Sequence, residues 1–278
     1  MTVELIADGL GFTEGPVYLP DDRVAVVSMS RGSVIVLDRD GTIVVEHRVG
    51  GGPNGLAIGP DGALYVAQNG GIWAAQSTAE PGIQVIRDGE VEYLAKGMGA
   101  PNDLVFGPDG RLWVTDSREQ FDFSRPDRAL PGRVWAVDIV SGDSELLIEG
   151  PIFVNGIGFD TDRTHLYLTE TVSADITKYD VVGNHPEGGA LLRTLPDANP
   201  DGFAVDASDR LWVATTSGDR IDAVGPDGTV EASHPLPKGS MPTNVCRGHP
   251  DTDEFFVTAA GAGAVLRLTR RRPSRRTR

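Results

Sequence analysis

Residues 101–116 read PNDLVFGPDGRLWVTD: a polar residue behind a proline, an alternating apolar run, a Pro-Asp-Gly turn and a second apolar run. Alternation with period two marks the two runs as strands, and the Asp109-Gly110 step between them as a hairpin turn. The pattern recurs on both sides. Upstream stand EGPVYLPDDRVAVVS (14–28) and PNGLAIGPDGALYVAQ (53–68). Downstream stand VNGIGFDTDRTHLYLTE (154–170), PDGFAVDASDRLWVAT (200–215) and PTNVCRGHPDTDEFFVTA (242–259). The lead polar residues of the six copies are Glu14, Asn54, Asn102, Asn155, Asp201 and Asn244, spaced 40 to 53 residues apart. That period suits four-stranded blades. Asp21, Asp61, Asp109, Asp162 and Asp251 each lie seven residues beyond their lead; in the fifth copy Ser208 holds that place and Asp209 follows.

The pattern predicts an all-β chain folded as a six-bladed β-propeller. Later strands of the blades are expected at Ser33–Leu37, Gly132–Val137, Ile176–Val181 and Ala264–Leu268. The sixth copy has room for only three strands before the chain ends, so the strand predicted at Val3–Ala7 should complete the last blade and leave no open sheet edge. Residues 1–269 then form one propeller domain, and 270–278 a disordered basic tail. Three Pro-, Gly- and charge-rich stretches, Gln76–Gly82, Arg118–Pro131 and Gly183–Gly189, are expected as loops over one rim.

Composition narrows the chemistry. The formal charge is −15 although the last nine residues hold six arginines, so the body is more acidic than the whole. An acidic body repels phosphates, which argues against nucleic acid as a partner, and the tail reads as a solvated terminus. No apolar run approaches the roughly 20 residues that span a bilayer, so no membrane partner is expected. A single cysteine, Cys246, excludes an internal disulfide and a thiolate zinc cage, which fits a reducing cytoplasm. Cys246 itself reads as a buried structural thiol on the sixth inner strand. Gly50–Gly55 matches GxGxxG, but the chain continues as strand where a dinucleotide fold needs a helix. GxSxG, P-loop and HExxH signatures are absent.

Equal phase places the lead residues around one axis at the start of the innermost strands. Singly, Asn54-Gly55, Asn155-Gly156 and Asp201-Gly202 read as turns. Glu14 has no such turn role, and together the six form a ring of oxygen donors with two carboxylates. Two carboxylates plus amide oxygens suit calcium first, with magnesium, manganese or zinc as alternatives. None of the five histidines, His47, His165, His185, His234 and His249, holds a lead position.

With EGP at Glu14, PNG at Asn54, PND and GPDGRLWVTD from Asn102, VNG at Asn155, PDG at Asp201 and PTN at Asn244, the chain resembles the gluconolactonase, regucalcin (senescence marker protein) and luciferin-regenerating enzyme family. The resemblance implies a divalent metal held by Glu14, Asn155 and Asp201, with Asn102 as a further ligand or substrate contact. It implies hydrolysis of a lactone or related ester, with Asp201 as candidate base or water-orienting group, in a monomer or homodimer. Asn102, Asn54, Asp103 and Glu170 are the expected substrate contacts. The family places an arginine two residues before the PND asparagine, where this chain has Ala100. With that guanidinium absent, Met98, Phe121, Phe123 and Phe153 would give the pocket apolar walls. Asp116, Glu119, Gln120 and Glu170 follow strand ends near the expected site. One Lewis-acid site can also run elimination, isomerisation or cyclisation, and a non-catalytic propeller stabilised by its metal is the reading from another class.

Overall fold

The computed structural model describes residues 1–270 except Ala74, Gln120, Phe123, Pro126 and Asp127; residues 271–278 of the expected tail lie outside the described part. The chain begins with β1 (Thr2–Ala7) and then builds blades in sequence. Blade 1 is β2 (Thr13–Tyr18), β3 (Val24–Ser28), β4 (Ser33–Leu37) and β5 (Ile43–Arg48). Blade 2 is β6 (Pro53–Ile58), β7 (Leu64–Gln68), β8 (Gly82–Arg87) and β9 (Glu90–Lys96). Blade 3 is β10 (Pro101–Phe106), β11 (Leu112–Asp116), β12 (Pro131–Val137) and β13 (Ser144–Ile152). Blade 4 is β14 (Val154–Phe159), β15 (His165–Glu170), β16 (Asp175–Val182) and β17 (His185–Thr194). Blade 5 is β18 (Pro200–Val205), β19 (Leu211–Thr215), β20 (Arg220–Val224) and β21 (Val230–Pro235). Blade 6 is β22 (Pro242–Arg247), β23 (Glu254–Ala259) and β24 (Ala264–Thr269), completed by β1, whose Val3 pairs with Leu268. The six-bladed propeller and its closure by the N-terminal strand are as the sequence predicts. Among the described residues no helix is long and apolar enough to cross a membrane.

Six apolar slabs between neighbouring blades hold the ring. On β3, Ala25 and Val27 pack toward blade 2 while Val24 and Val26 pack toward blade 6. On β7, Leu64 and Val66 face blade 1, and Tyr65 and Ala67 face blade 3. A strand covered on both faces needs apolar residues at successive positions, which is why the second strands run as VAVVS, LYVAQ and LWVTD, buried throughout. The fourth strands have water on their outer edge, and β17 is largely exposed.

One expected loop lies elsewhere. First and second strands are antiparallel, so the connection from second to third strand returns to the rim where the first strand began. Residues 76–81 and the described part of 118–130 lie in such connections, on the rim of the lead residues. Gly183–Gly189 instead joins β16 to β17 at the opposite rim, and residues 185–189 are already strand. Gly183 and Asn184, at φ 56° and 65°, supply the two left-handed residues of a tight hairpin turn, so no long loop is needed.

Every inner strand is irregular beside its lead residue: the register shifts between Glu14 and Val17, Pro53 and Leu56, Pro101 and Leu104, Val154 and Ile157, Pro200 and Phe203, and Pro242 and Asn244. The extra residue brings neighbouring inner strands into close approach. After the lead stand Gly15, Gly55, Gly156 and Gly202 in four blades. A Cβ at Gly55 would lie 2.7 Å from Asn102 O, and one at Gly156 2.7 Å from Asp201 O. Gly156→Ala is therefore expected to lower the unfolding free energy by roughly 1–3 kcal/mol, since backbone must move to admit the methyl. Urea unfolding midpoints check this, and an unchanged midpoint would show that the inner ring has slack.

Candidate metal centre

Hydrogen bonds correct the phase of the sixth blade. Thr115, Thr169 and Thr258 accept through Oγ1 from the amides of Asp103 (2.9 Å), Gly156 (2.8 Å) and Asn244 (3.1 Å). Asn244 therefore matches the residue after the lead in its blade, and Thr243 is the equivalent of Glu14, Asn54, Asn102, Asn155 and Asp201. The sequence misplaces it because PTN mimics PND with its polar residue one step late. The residue after the lead is glycine in four blades and carries a side chain in two, Asp103 and Asn244. Those two meet across the axis, Asn244 Nδ2 donating to Asp103 Oδ2 at 3.2 Å.

Three buried carboxylates thus share the axis: Glu14, Asp103 and Asp201. Burial raises the pKa of Glu14 well above the usual value, and the charges of Asp201 and Asp103 add to it. Asp201 is raised in the same way, by burial first and then by Asp103. Burial pushes Asp103 up to about 6. Asn102 Nδ2 donates to Ser117 Oγ (3.4 Å) and Asn155 Nδ2 to Thr171 Oγ1 (3.0 Å). With the amide nitrogens so held, the carbonyl oxygens are the ends available to a cation. Asn54 is buried at the same phase in blade 2.

No group of three or more His, Cys, Asp or Glu among the described residues is set to hold a metal unaided. The donor set here is mixed, carboxylate and amide, and one of its atoms stands out. Asp201 Oδ1 is buried and has no hydrogen-bond partner. A carboxylate oxygen taken out of water without a partner is costly, and a cation beside it removes that cost. Glu14, Asn102, Asn155 and Asp201 therefore fit a divalent ion with hard oxygen ligands.

Above the lead residues the blades form a lip with its own sixfold pattern. Each second strand is followed by an amide that donates to the carbonyl two residues before the lead: Met29 to Phe12, Asn69 to Gly52, Ser117 to Ala100, Thr171 to Phe153, Thr216 to Asn199 and Ala260 to Met241, at 2.8–3.4 Å. Ala100 thus belongs to a row of like-placed residues.

The remaining expected contacts fall behind that lip. Asp116 accepts from the amides of Gly99, Ala100 and Arg118 and from Trp135 Nε1, fixing the start of blade 3. Glu170 has the same phase in blade 4; it is half-buried, its pKa raised by burial, and accepts from Thr177 Oγ1 at 2.9 Å. The charge that acts on it is that of Asp175, not of an axial carboxylate. Glu119 closes its loop by accepting from Leu130 N. Met98 packs in the slab between blades 2 and 3 and does not line the mouth, because its strand-connecting segment turns inward there. Phe121 and Phe153 do meet, 5.3 Å between ring centroids, and Trp73 joins Phe153 at 5.8 Å. The sequence reading missed Trp73, which sits in an irregular loop outside the repeat. Phe123 and Gln120 lie outside the described residues. Cys246 is on β22 as expected, half-buried, its thiol pushed up to about 12 by burial. It lies at the far end of the channel, where Leu56, Leu104, Ile157 and Phe203 help line a cavity of about 350 Å³ below Asp103 and Asn244.

The raised carboxylates give a pH-dependent outcome. Between the ordinary aspartate value of 3.8 and its raised folded value, the folded metal-free protein holds a proton at Asp201 that the unfolded chain has lost. Stability therefore falls as pH rises through that window. Asp201→Asn removes the effect, so in chelator its Tm should exceed that of wild type, by a margin that grows from pH 4 to pH 7.5. Saturating calcium should reverse the order. A variant less stable than wild type in chelator at pH 7.5 would show that Asp201 is not under electrostatic strain.

The family model described as "SMP-30/Gluconolactonase/LRE-like region" matches residues 12–261. Among curated proteins, a pentonolactonase of Haloferax volcanii is 29% identical over 140 residues, 49% of this chain and 47% of that protein. Regucalcin of Xenopus laevis is 32% identical over 124 residues, 43% of this chain and 41% of that protein. The alignments thus span less than half the length of these relatives. A solved regucalcin from Agrobacterium tumefaciens, described as a calcium-binding protein, superposes with a TM-score of 0.79 at 18% identity, covering 99% of this chain and 98% of that one. At that identity the likeness bears on the fold alone. The family match, by contrast, takes in all six lead positions, and this chain belongs to the SMP-30/gluconolactonase/LRE-like family.

Proposed function

We propose that the axial pocket hydrolyses a lactone or related ester, with a divalent cation, calcium first, held by Glu14, Asn155 and Asp201 and with Asn102 beside them. The observation that carries this reading is the buried Asp201 Oδ1 without a partner, set among carboxylates where six inner strands converge. The names of relatives support it: a pentonolactonase, an L-arabinolactonase and a 6-deoxy-6-sulfogluconolactonase on the chemistry, and a calcium-binding regucalcin on the cation. When bound, the cation supplies Lewis-acid polarisation of the ester carbonyl and positive charge opposite the developing oxyanion.

The chain's own groups do the rest. Asp201 accepts a hydrogen bond from the attacking water and orients it toward the carbonyl carbon. Water oxygen bonds to that carbon, the ring C–O bond breaks, and the water proton ends on the leaving oxygen, giving a hydroxy acid. Asn102 and Asn54, held at the same height, position substrate oxygens, and Asp103 sets the negative field beneath them. With one thiol in 278 residues, the same reading places the reaction in a reducing cytoplasm with a small molecule as its partner.

Chelator-treated protein should lose acid release from a panel of lactones, and calcium or another divalent cation should restore it. Asp201→Asn should lower restored turnover roughly 10²–10⁴-fold. Turnover indifferent to chelator would overturn the metal-dependent mechanism. Tight calcium binding with no turnover on any lactone would make the propeller a binding scaffold, and a product whose mass lacks added water would make it a lyase or isomerase.

A further inference from the structure

The lip differs in kind from the ring beneath it. Its six members are Phe12, Gly52, Ala100, Phe153, Asn199 and Met241, and none carries a charge. The one polar side chain among them is already engaged: Asn199 Nδ2 donates to Thr171 O at 2.9 Å, and its Oδ1 accepts from Ser217 Oγ at 2.7 Å. On the blade 6 to blade 1 side the amides that bind this row belong to Ala260 and Met29, so that arc of the mouth is apolar in both rows.

On the other side the loops after β7 and β11 add Trp73 and Phe121, which converge edge-on and tilted upon Phe153. Phe153 stands two residues before Asn155 and has φ 52°, a left-handed backbone that a bulky side chain adopts only at a cost. Its ring meets the loops after β7 and β11, and its carbonyl accepts from Thr171 N two residues before Asn155, a proposed ligand. The same sector holds one unmatched donor. Asn69 is buried, its Oδ1 accepts from Gly71 N, and its Nδ2 has no partner. Its phase is that of Ser117 and Thr171, whose side chains touch Asn102 and Asn155, which makes Asn54 the matching position in blade 2.

A polyhydroxylated sugar lactone would bring hydroxyls against the aromatic sector of this lip and leave them unpaired there, a costly mismatch. We propose that the substrate is a lactone or ester bearing an alkyl or aryl substituent, with that substituent against the Trp73–Phe153–Phe121 wall and a single oxygen accepting from Asn69 Nδ2. This rests on the hydrolase reading above and separates the chain in substrate class from the sugar lactonases among its relatives.

The test compares kcat/KM with calcium for dihydrocoumarin and δ-octalactone against glucono-δ-lactone and a pentono-γ-lactone. Wild type is expected to favour the apolar pair roughly 100-fold or more, and Ala100→Arg or Trp73→Ser to cut that ratio roughly 10-fold or more. Equal or faster turnover of the sugar lactones by wild type overturns the substrate class while leaving the hydrolase intact. Metal-dependent turnover of none of the four sinks the hydrolase reading instead. The wall is then judged without chemistry, by calorimetry of the lactam analogue of dihydrocoumarin with chelator-treated protein. Binding weakened roughly 10-fold in Trp73→Ser supports the wall; no binding, or equal binding by both proteins, overturns it. Asn69→Asp, which keeps the shape and removes the donor, should raise KM for dihydrocoumarin more than it lowers kcat, and unchanged KM overturns the role of Nδ2.

Discussion

The six inner strands approach the axis so closely that a Cβ at Gly55 or Gly156 would strike the next blade's backbone. This steric limit organises the centre of the molecule. A bulge in each inner strand lets two successive residues face the axis, and at the second of these only glycine fits in four blades. The two exceptions, Asp103 and Asn244, survive by meeting each other. Together they cross the channel, with the lead residues on one side and the cavity lined by Leu56, Leu104, Ile157, Phe203 and Arg247 on the other. The site has a floor because two blades break the glycine rule.

Closeness also sets the electrostatics. Hydroxyls of second strands reach across to the next inner strand, Thr115 to Asn155 O at 2.6 Å and Thr169 to Asp201 O at 2.6 Å. These bonds fix the ring at a diameter that holds Glu14, Asp103 and Asp201 within each other's field. All three pKa values rise through burial first, and neighbouring carboxylates add to the rise at Glu14 and Asp201. A fold seeking stability alone would neutralise such a group, as it does elsewhere: Asp206 has Arg210 and Trp212 for partners, and Glu254 has Arg39. Among the described residues no cation shifts the axial carboxylates, and on the reading proposed above their charge would hold a metal ion there.

What the sequence made legible followed from repetition. Blade number, closure by β1 and five of the six lead positions depend on phase, and phase survives in a string of letters. The sixth lead failed because the string PTN keeps its asparagine visible while the bulge, which decides the true position, is a property of pairing. Glu170 shares its row with Ser28, Gln68, Asp116 and Thr215; Ser28, Gln68 and Asp116 tie down chain at the start of a blade while Thr215 bonds Arg220 O within its own, so no residue type advertises what the row does. The fifth turn carboxylate hid similarly: Asp206, not Asp209, receives the turn amides and Trp212 Nε1, two residues ahead of the place the other copies predict.

On the reading proposed above, the lip lets one propeller keep a reaction and change what it accepts. Lead residues and the residues after them are clamped by hydroxyls, bulges and close backbone, so substitution there disturbs the ring itself. The row two residues earlier is tied in through its backbone, its carbonyls accepting from the amides after the second strands and the amides of Phe12, Gly52, Ala100 and Met241 donating to side chains. Phe12, Ala100 and Met241 therefore occupy positions whose side chains take no part in that pattern, whereas Asn199 uses its own for Thr171 and Ser217. On the reading proposed above, reaction chemistry lies where the backbone allows little change, and substrate class one step outward, where the backbone bond is kept.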